Sequence, residues 1–213
     1  MRFGFLVCAT VFCAMAYSQS FNLDRGGKEL RVFGGSNNDE LNPLHTGFNF
    51  FQSSPVENPY TVGAEAAFGL NRYLAVTGDY AYNRLGTLSG ICLFGGNCGP
   101  TIASRHIHEY MGGLRFTLPT GRLSPYGVFS LGGVDSSSKS SSNGSVTGST
   151  SSTHFAFAAG GGVDIALVRH LGVAFDVRAV IPVNPSTNLG TDLRAPQTPH
   201  WLSRYAMGLY FRF

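Results

Sequence analysis

The chain has 213 residues, a formal charge of +3 and only 13% charged residues, about half the share of an average soluble domain. With 13% aromatics it is no disordered chain, and its scattered basic residues make no nucleic-acid-binding patch. Beyond the first twenty residues no apolar run reaches the ~18 that a membrane-spanning helix needs.

Residues 1–18 read as a secretory signal peptide. Arg2 supplies the positive end, Phe3 to Ala14 the short apolar stretch, and small residues allow cleavage after Ser18 or after Ala16. Residues 19–28 then form a short periplasmic lead, and 29–213 a single folded unit. Cys8 and Cys13 leave with the signal. Cys92 and Cys98 remain, in Cys-Leu-Phe-Gly-Gly-Asn-Cys, and an even pair in an exported chain predicts a disulfide.

From residue 29 the apolar residues repeat with a period of about two, the signature of strands. Eight segments stand out, at about 29–36, 60–70, 73–83, 108–118, 124–134, 154–167, 171–181 and 202–213. Their lengths suit tilted membrane strands of ~9–11 residues. Short connections at Asn71-Arg72, Thr120 to Arg122 and Val168 to His170 alternate with long ones at 37–59, 84–107, 135–153 and 182–201. Short turns at one end and long loops at the other are the pattern of an outer-membrane barrel. The expected fold is all-β, an eight-stranded antiparallel up-and-down transmembrane β-barrel.

The faces of the segments say which side is inside. In the second, Val62, Ala64, Ala66, Phe68 and Leu70 oppose Thr61, Gly63, Glu65, Ala67 and Gly69. In the seventh, Leu171, Val173, Phe175, Val177 and Ile181 oppose Gly172, Ala174, Asp176 and Arg178. The other segments follow the same rule, except the fifth, Pro125 to Val134, whose faces do not separate. The polar face is mostly Gly, Ala and Thr with isolated charges, unlike the dense Lys/Glu cover of a soluble surface. Six of its residues are acidic (Glu29, Glu65, Asp79, Glu109, Asp164, Asp176) and five are arginines (Arg31, Arg115, Arg178, Arg204, Arg212). Arginine stays charged and pairs bidentately with carboxylates, so these eleven are expected to fill the lumen as a salt-bridge network. On the apolar face, Tyr60, Tyr80, Tyr82, Tyr110, Phe155, Trp201 and Tyr205 gather at the long-loop end. Phe68, Phe116, Phe211 and Phe213 gather at the other, giving two interfacial girdles.

The last strand alternates Tyr205, Met207, Leu209, Phe211 and Phe213. In this it resembles the eight-stranded outer-membrane β-barrel family, the fold of the OmpA-like transmembrane domain. Gly160 to Asp164, a tight turn, and Leu171 to Arg178 are similar to that family's penultimate hairpin. The resemblance covers about residues 29–213. It implies that those five terminal residues are the signal read by the barrel assembly machinery. It implies a place in the bacterial outer membrane among lipid and lipopolysaccharide; the expected state is a monomer. Larger relatives carry a peptidoglycan-binding domain after the barrel; the expectation here is a barrel without one.

The remaining features are weaker. Asp135 to Thr153 is a Ser-rich, low-complexity stretch, expected as a mobile loop that is inert or offers a surface for a receptor or phage. Phe48, Phe50 and Phe51 could cap the mouth or dip into lipid. His106 and His108 share a strand face beside Glu109, but without a third ligand they predict no metal site. A lipid A deacylase would need Ser, His and an acid together, and only His154 with Ser203 suggests a start. No catalytic residue, cofactor or metal is expected, nor a nucleic-acid partner. The expected function is a non-catalytic structural or surface-interaction role, the identity of any surface ligand being open. The alternatives are a small pore for ions or solutes, a lipid A-modifying enzyme and a soluble lipocalin-like carrier.

Overall fold

The structure is a computed structural model that describes residues 26–39, 59–90, 101–142, 145–183 and 201–213. The alternating segments form eight strands: β1 (Lys28–Asp39), β2 (Tyr60–Asn71), β3 (Leu74–Gly90), β4 (Thr101–Thr117), β5 (Leu123–Ser142), β6 (Ser145–Val168), β7 (Leu171–Pro182) and β8 (Leu202–Arg212). Each pairs antiparallel with its sequence neighbours, and β1 pairs with β8, so the sheet closes into a barrel. The seam runs from Glu29 opposite Arg212 to Asp39 opposite Leu202. Closure satisfies every strand edge of the wall, which a sheet in hydrocarbon requires.

Alternation sets the two faces. Along β4, Arg115 is 1% exposed while its neighbours Leu114 and Phe116 are 39% and 55% exposed. The apolar side chains are outside and the charges inside, the inverse of a soluble barrel. Tyr60, Tyr80, Tyr110, Phe155, Trp201 and Tyr205 face outward at one end, and Phe68, Phe116, Phe211 and Phe213 at the other.

β5 acquires its faces from its pairing. Ser124, Tyr126, Val128, Ser130, Val134 and Ser136 point inward, whereas Leu123, Phe129 and Leu131 point outward. Three of the inward residues are apolar or aromatic, and Gly127 lies outward, which is why the sequence pattern blurs there.

The turns at one end are short. Arg72 and Tyr73 join β2 to β3, with the Tyr73 and Leu74 amides donating to Asn71 Oδ1. Arg169 and His170 join β6 to β7, and residues 118–122 join β4 to β5, with Gly121 at φ 98°.

At the other end two expectations fail. Asp135 to Ser142 and Ser145 to Thr153 are strand, not loop: β5 and β6 stay paired from Val134 opposite His154 to Ser142 opposite Ser145, with one register shift between Ser140 and Ser141. Likewise, β3 and β4 run on from Arg84 opposite His106 to Gly90 opposite Thr101, so most of the expected 84–107 loop is strand. A ladder needs backbone groups more than apolar side chains, and serine with β4 on its other side supplies them. β2 leaves β3 at Tyr60 opposite Arg84, and β7 leaves β6 at Pro182 opposite Ala156. The four strands β3–β6 therefore project beyond the barrel wall. The expected signal peptide, the Cys92–Cys98 pair and Phe48, Phe50 and Phe51 lie outside the described residues.

Candidate functional site

The lumen holds two connected rings of charge. In the ring nearer the short turns, Arg115 Nη1 bridges Glu29 (2.7 Å) and Glu65 (3.0 Å). Arg31 Nη2 reaches Glu29 (3.1 Å) and Asp164 (2.9 Å). Arg212 closes the ring through Nε to Glu29 (2.6 Å) and Nη2 to Asp164 (3.0 Å). Tyr126 links this ring to the next: its hydroxyl accepts from Arg31 Nη1 and donates to Asp176 Oδ2, both at 2.7 Å.

In the second ring, Arg178 pairs with Glu65, with Asp79 at 3.1 Å and with Asp176 at 2.9 Å. Arg204 pairs with Glu109 at 3.0 Å and Asp79 at 3.4 Å. Its guanidinium also lies over the Phe33 ring, 4.7 Å from the centroid. Asn83 Nδ2 donates to the other Glu109 oxygen at 2.6 Å. All eleven charged residues named from the alternation are buried here. Burying unpaired ions would cost several kcal/mol each, so the pairing is a condition of the fold.

Two parts of the lumen were not read from the sequence. Arg105 is also buried, facing in from β4 beyond Ile107. It fell outside the expected fourth segment, which began at 108. With it, six buried acids face six buried arginines among the described residues. Over the second ring lies an apolar layer of Leu85, Ile107, Met111, Val134, Ala156, Ala158, Val180 and Leu202, with Met111 level with Asp79 and Ile107 between Glu109 and Arg105. The signal for it was parity: these residues share the lumen faces with the buried charges.

The histidines sit elsewhere. His106 and His108 face outward while Glu109 faces inward, so the three do not share a site. Tyr82 Oη and His106 Nδ1 share a hydrogen bond of 2.7 Å, and Tyr80 Oη and His108 Nδ1 one of 2.9 Å. His154 contacts Ser152 (3.1 Å), and β7 separates its strand from that of Ser203. Tyr205, Met207, Leu209, Phe211 and Phe213 all face outward.

The sequence matches the family described as outer membrane protein beta-barrel domain over residues 4–193. The chain belongs to this family. Membership places it in the bacterial outer membrane, in contact with lipid and lipopolysaccharide. Solved barrels share its fold. A major outer membrane protein from Thermus thermophilus aligns with TM-score 0.62 at 10% identity, over 88% of this chain and 99% of that one. Ail, the attachment invasion locus protein of Yersinia pestis, aligns with TM-score 0.53 at 15% identity, over 89% and 99%. OprG from Pseudomonas aeruginosa aligns with TM-score 0.52 at 14% identity, over 92% and 99%. At such identities the likeness is one of fold. No curated protein matches the sequence.

Proposed function

We propose that this outer-membrane barrel is a non-catalytic, monomeric protein with a structural or surface-interaction role. Its lumen is closed by ion pairs, and its projecting hairpins face the medium. One observation carries this reading: two arginine–carboxylate rings cross the lumen beneath an apolar layer. Eight strands leave an interior only wide enough for side chains, and here paired charges occupy it. A conducting path would have to open those pairs. The separation of His154 from Ser203 favours the non-catalytic side of the reading. Ail has been solved in complex with the heparin analogue sucrose octasulfate, a precedent for a surface role on this fold. In the same reading, residues 1–18 direct export, Cys92 and Cys98 form a disulfide, and the outward alternation of β8 is presented to the barrel assembly machinery.

Single-channel recording of the refolded protein in a planar bilayer tests the reading, with a heat-shifted gel band reporting folding. A folded, inserted and silent protein is expected. Reproducible conductance steps would transfer the function to a small pore, and altered lipid A masses on expression would transfer it to an enzyme.

A further inference from the structure

At the long-loop end of the lumen, β1, β2 and β3 set three oxygens side by side. Among the described residues, the last pair of β1 with β2 is Gly35 opposite Thr61, and Thr61 lies opposite Asn83 on β3. Asn37, just beyond Gly35, is buried where that pairing has ended. Its Nδ2 donates to the Tyr60 carbonyl oxygen at 2.8 Å and to that of Arg84 at 3.3 Å. A carbonyl only accepts, so nitrogen and oxygen are fixed and Asn37 Oδ1 turns away from both. Asn83 Nδ2 donates toward β4, to Glu109 Oε1, so Asn83 Oδ1 turns back toward Thr61. Asn37 Oδ1, Thr61 Oγ1 and Asn83 Oδ1 are all buried, and none of the three has a hydrogen-bond partner. Buried acceptors without a donor are costly, so three that converge mark a place for something that fills them.

The local charge says what kind of group that is. In the first ring Arg31, Arg115 and Arg212 face Glu29, Glu65 and Asp164. In the second, Arg178 and Arg204 share Asp79, Asp176 and Glu109. Two guanidiniums thus serve three carboxylates, and Glu109, which holds the Asn83 amide, is fully buried. Arg105 adds its charge from farther along β4, beyond Ile107, about 13 Å of strand from Glu109.

We propose that Asn37, Thr61 and Asn83 bind an alkali-metal cation, sodium or potassium, beside the Glu109 carboxylate. One ion answers both features: it supplies what the three oxygens lack and evens the charge of the second ring. Water would answer only the first. A divalent ion would overshoot the charge, and it favours sites richer in carboxylate, whereas these ligands are two amides and a hydroxyl. The site rests on the geometry of the lumen and is independent of whether the barrel conducts.

The test is urea titration of the heat-shifted band of the refolded full chain in sodium, potassium and choline chloride at equal ionic strength. An ion that binds only the folded barrel raises the midpoint, by roughly 1 M urea at ~100 times its Kd. A higher midpoint in sodium or potassium than in choline is expected, levelling off as the alkali salt replaces choline. Thr61→Val keeps the shape of the side chain without its oxygen and should erase the difference, while Thr61→Ser should keep it. Thr61→Ala keeps the test open if Thr61→Val fails to fold. Ser130→Ala, at a buried hydroxyl elsewhere in the lumen, should behave like the parent. Equal midpoints in all three salts would overturn the ion and leave a buried water in its place. A difference that survives in a folded Thr61→Val or Thr61→Ala barrel would overturn the site.

Discussion

Gly162 leaves the space that Tyr126 fills. A Cβ on Gly162 would come within 2.7 Å of Tyr126 Oη and still closer to the Phe175 carbonyl oxygen. Tyr126 in turn joins the two charged rings through Arg31 and Asp176. Gly162→Ala is therefore expected to destabilise the barrel by about 1–3 kcal/mol, an overpacking cost. Urea titration of the heat-shifted band measures it, and an unchanged midpoint would mean that β6 shifts freely.

Removing the link without adding bulk asks a different question. Tyr126→Phe keeps the ring but withdraws the hydroxyl from a guanidinium and a carboxylate. Hydrogen bonds to charged groups contribute about 1.5–3 kcal/mol, and a loss in that range is expected in the same titration. A neutral substitution would show that water replaces the hydroxyl at no cost.

Arg178 meets Glu65, Asp79 and Asp176, so its removal takes one cation from three buried carboxylates, which keep only Arg115, Arg204 and the Tyr126 hydroxyl respectively. Arg178→Ala should cost about 3–5 kcal/mol, the range for breaking one side of a buried ion pair. A wild-type urea midpoint would contradict that placement.

The serine-rich hairpin offers a proteolytic test. The Lys139 backbone pairs with Ser104 on one side and Ser149 on the other. Trypsin should leave the Lys139–Ser140 bond intact in the folded protein and cut it once urea unfolds the chain. Early cleavage there would restore the mobile loop that composition alone suggests.

At the seam, the Phe213 and Lys28 backbones exchange two hydrogen bonds of 3.0 Å, and the Phe213 ring packs on Phe211 at 5.7 Å between centroids. Deleting Phe213 is expected to lower the outer-membrane level of the protein. Phe213→Ala, which keeps the backbone bonds, separates the ring from the seam. Normal levels of both variants, read by immunoblot of membrane fractions, would remove any assembly role from this residue.

The barrel itself was legible because alternation is a local property. β2 and β7 display it residue by residue, and the positions of the eleven charges follow from parity. β5 was not legible, since Val134 faces the apolar layer of the lumen and Val128 faces inward level with Arg115, while Gly127 faces out. Its orientation comes from its neighbours, which no single-strand pattern contains. Arg105 was missed for a related reason: the strand extends seven residues beyond where its apolar pattern begins, held by pairing with β3 and β5. The serine ladder is the extreme case, in which composition points to a loop and two flanking registers impose a strand.

The six buried arginines and six buried acids also bear on the order in which the wall can be completed. Glu29 and Arg212 are 183 positions apart, and β8 contributes both Arg204 and Arg212. Among the described residues, a seven-strand intermediate holds all six buried acids but lacks these two cations, one from each ring. The two rings would then carry carboxylates short of their partners into a medium that cannot solvate them. The final strand is thus an electrostatic keystone as well as a geometric one. A nascent barrel stalled before it arrives should stay protonated, hydrated or outside the bilayer, and insertion and neutralisation should occur as one event.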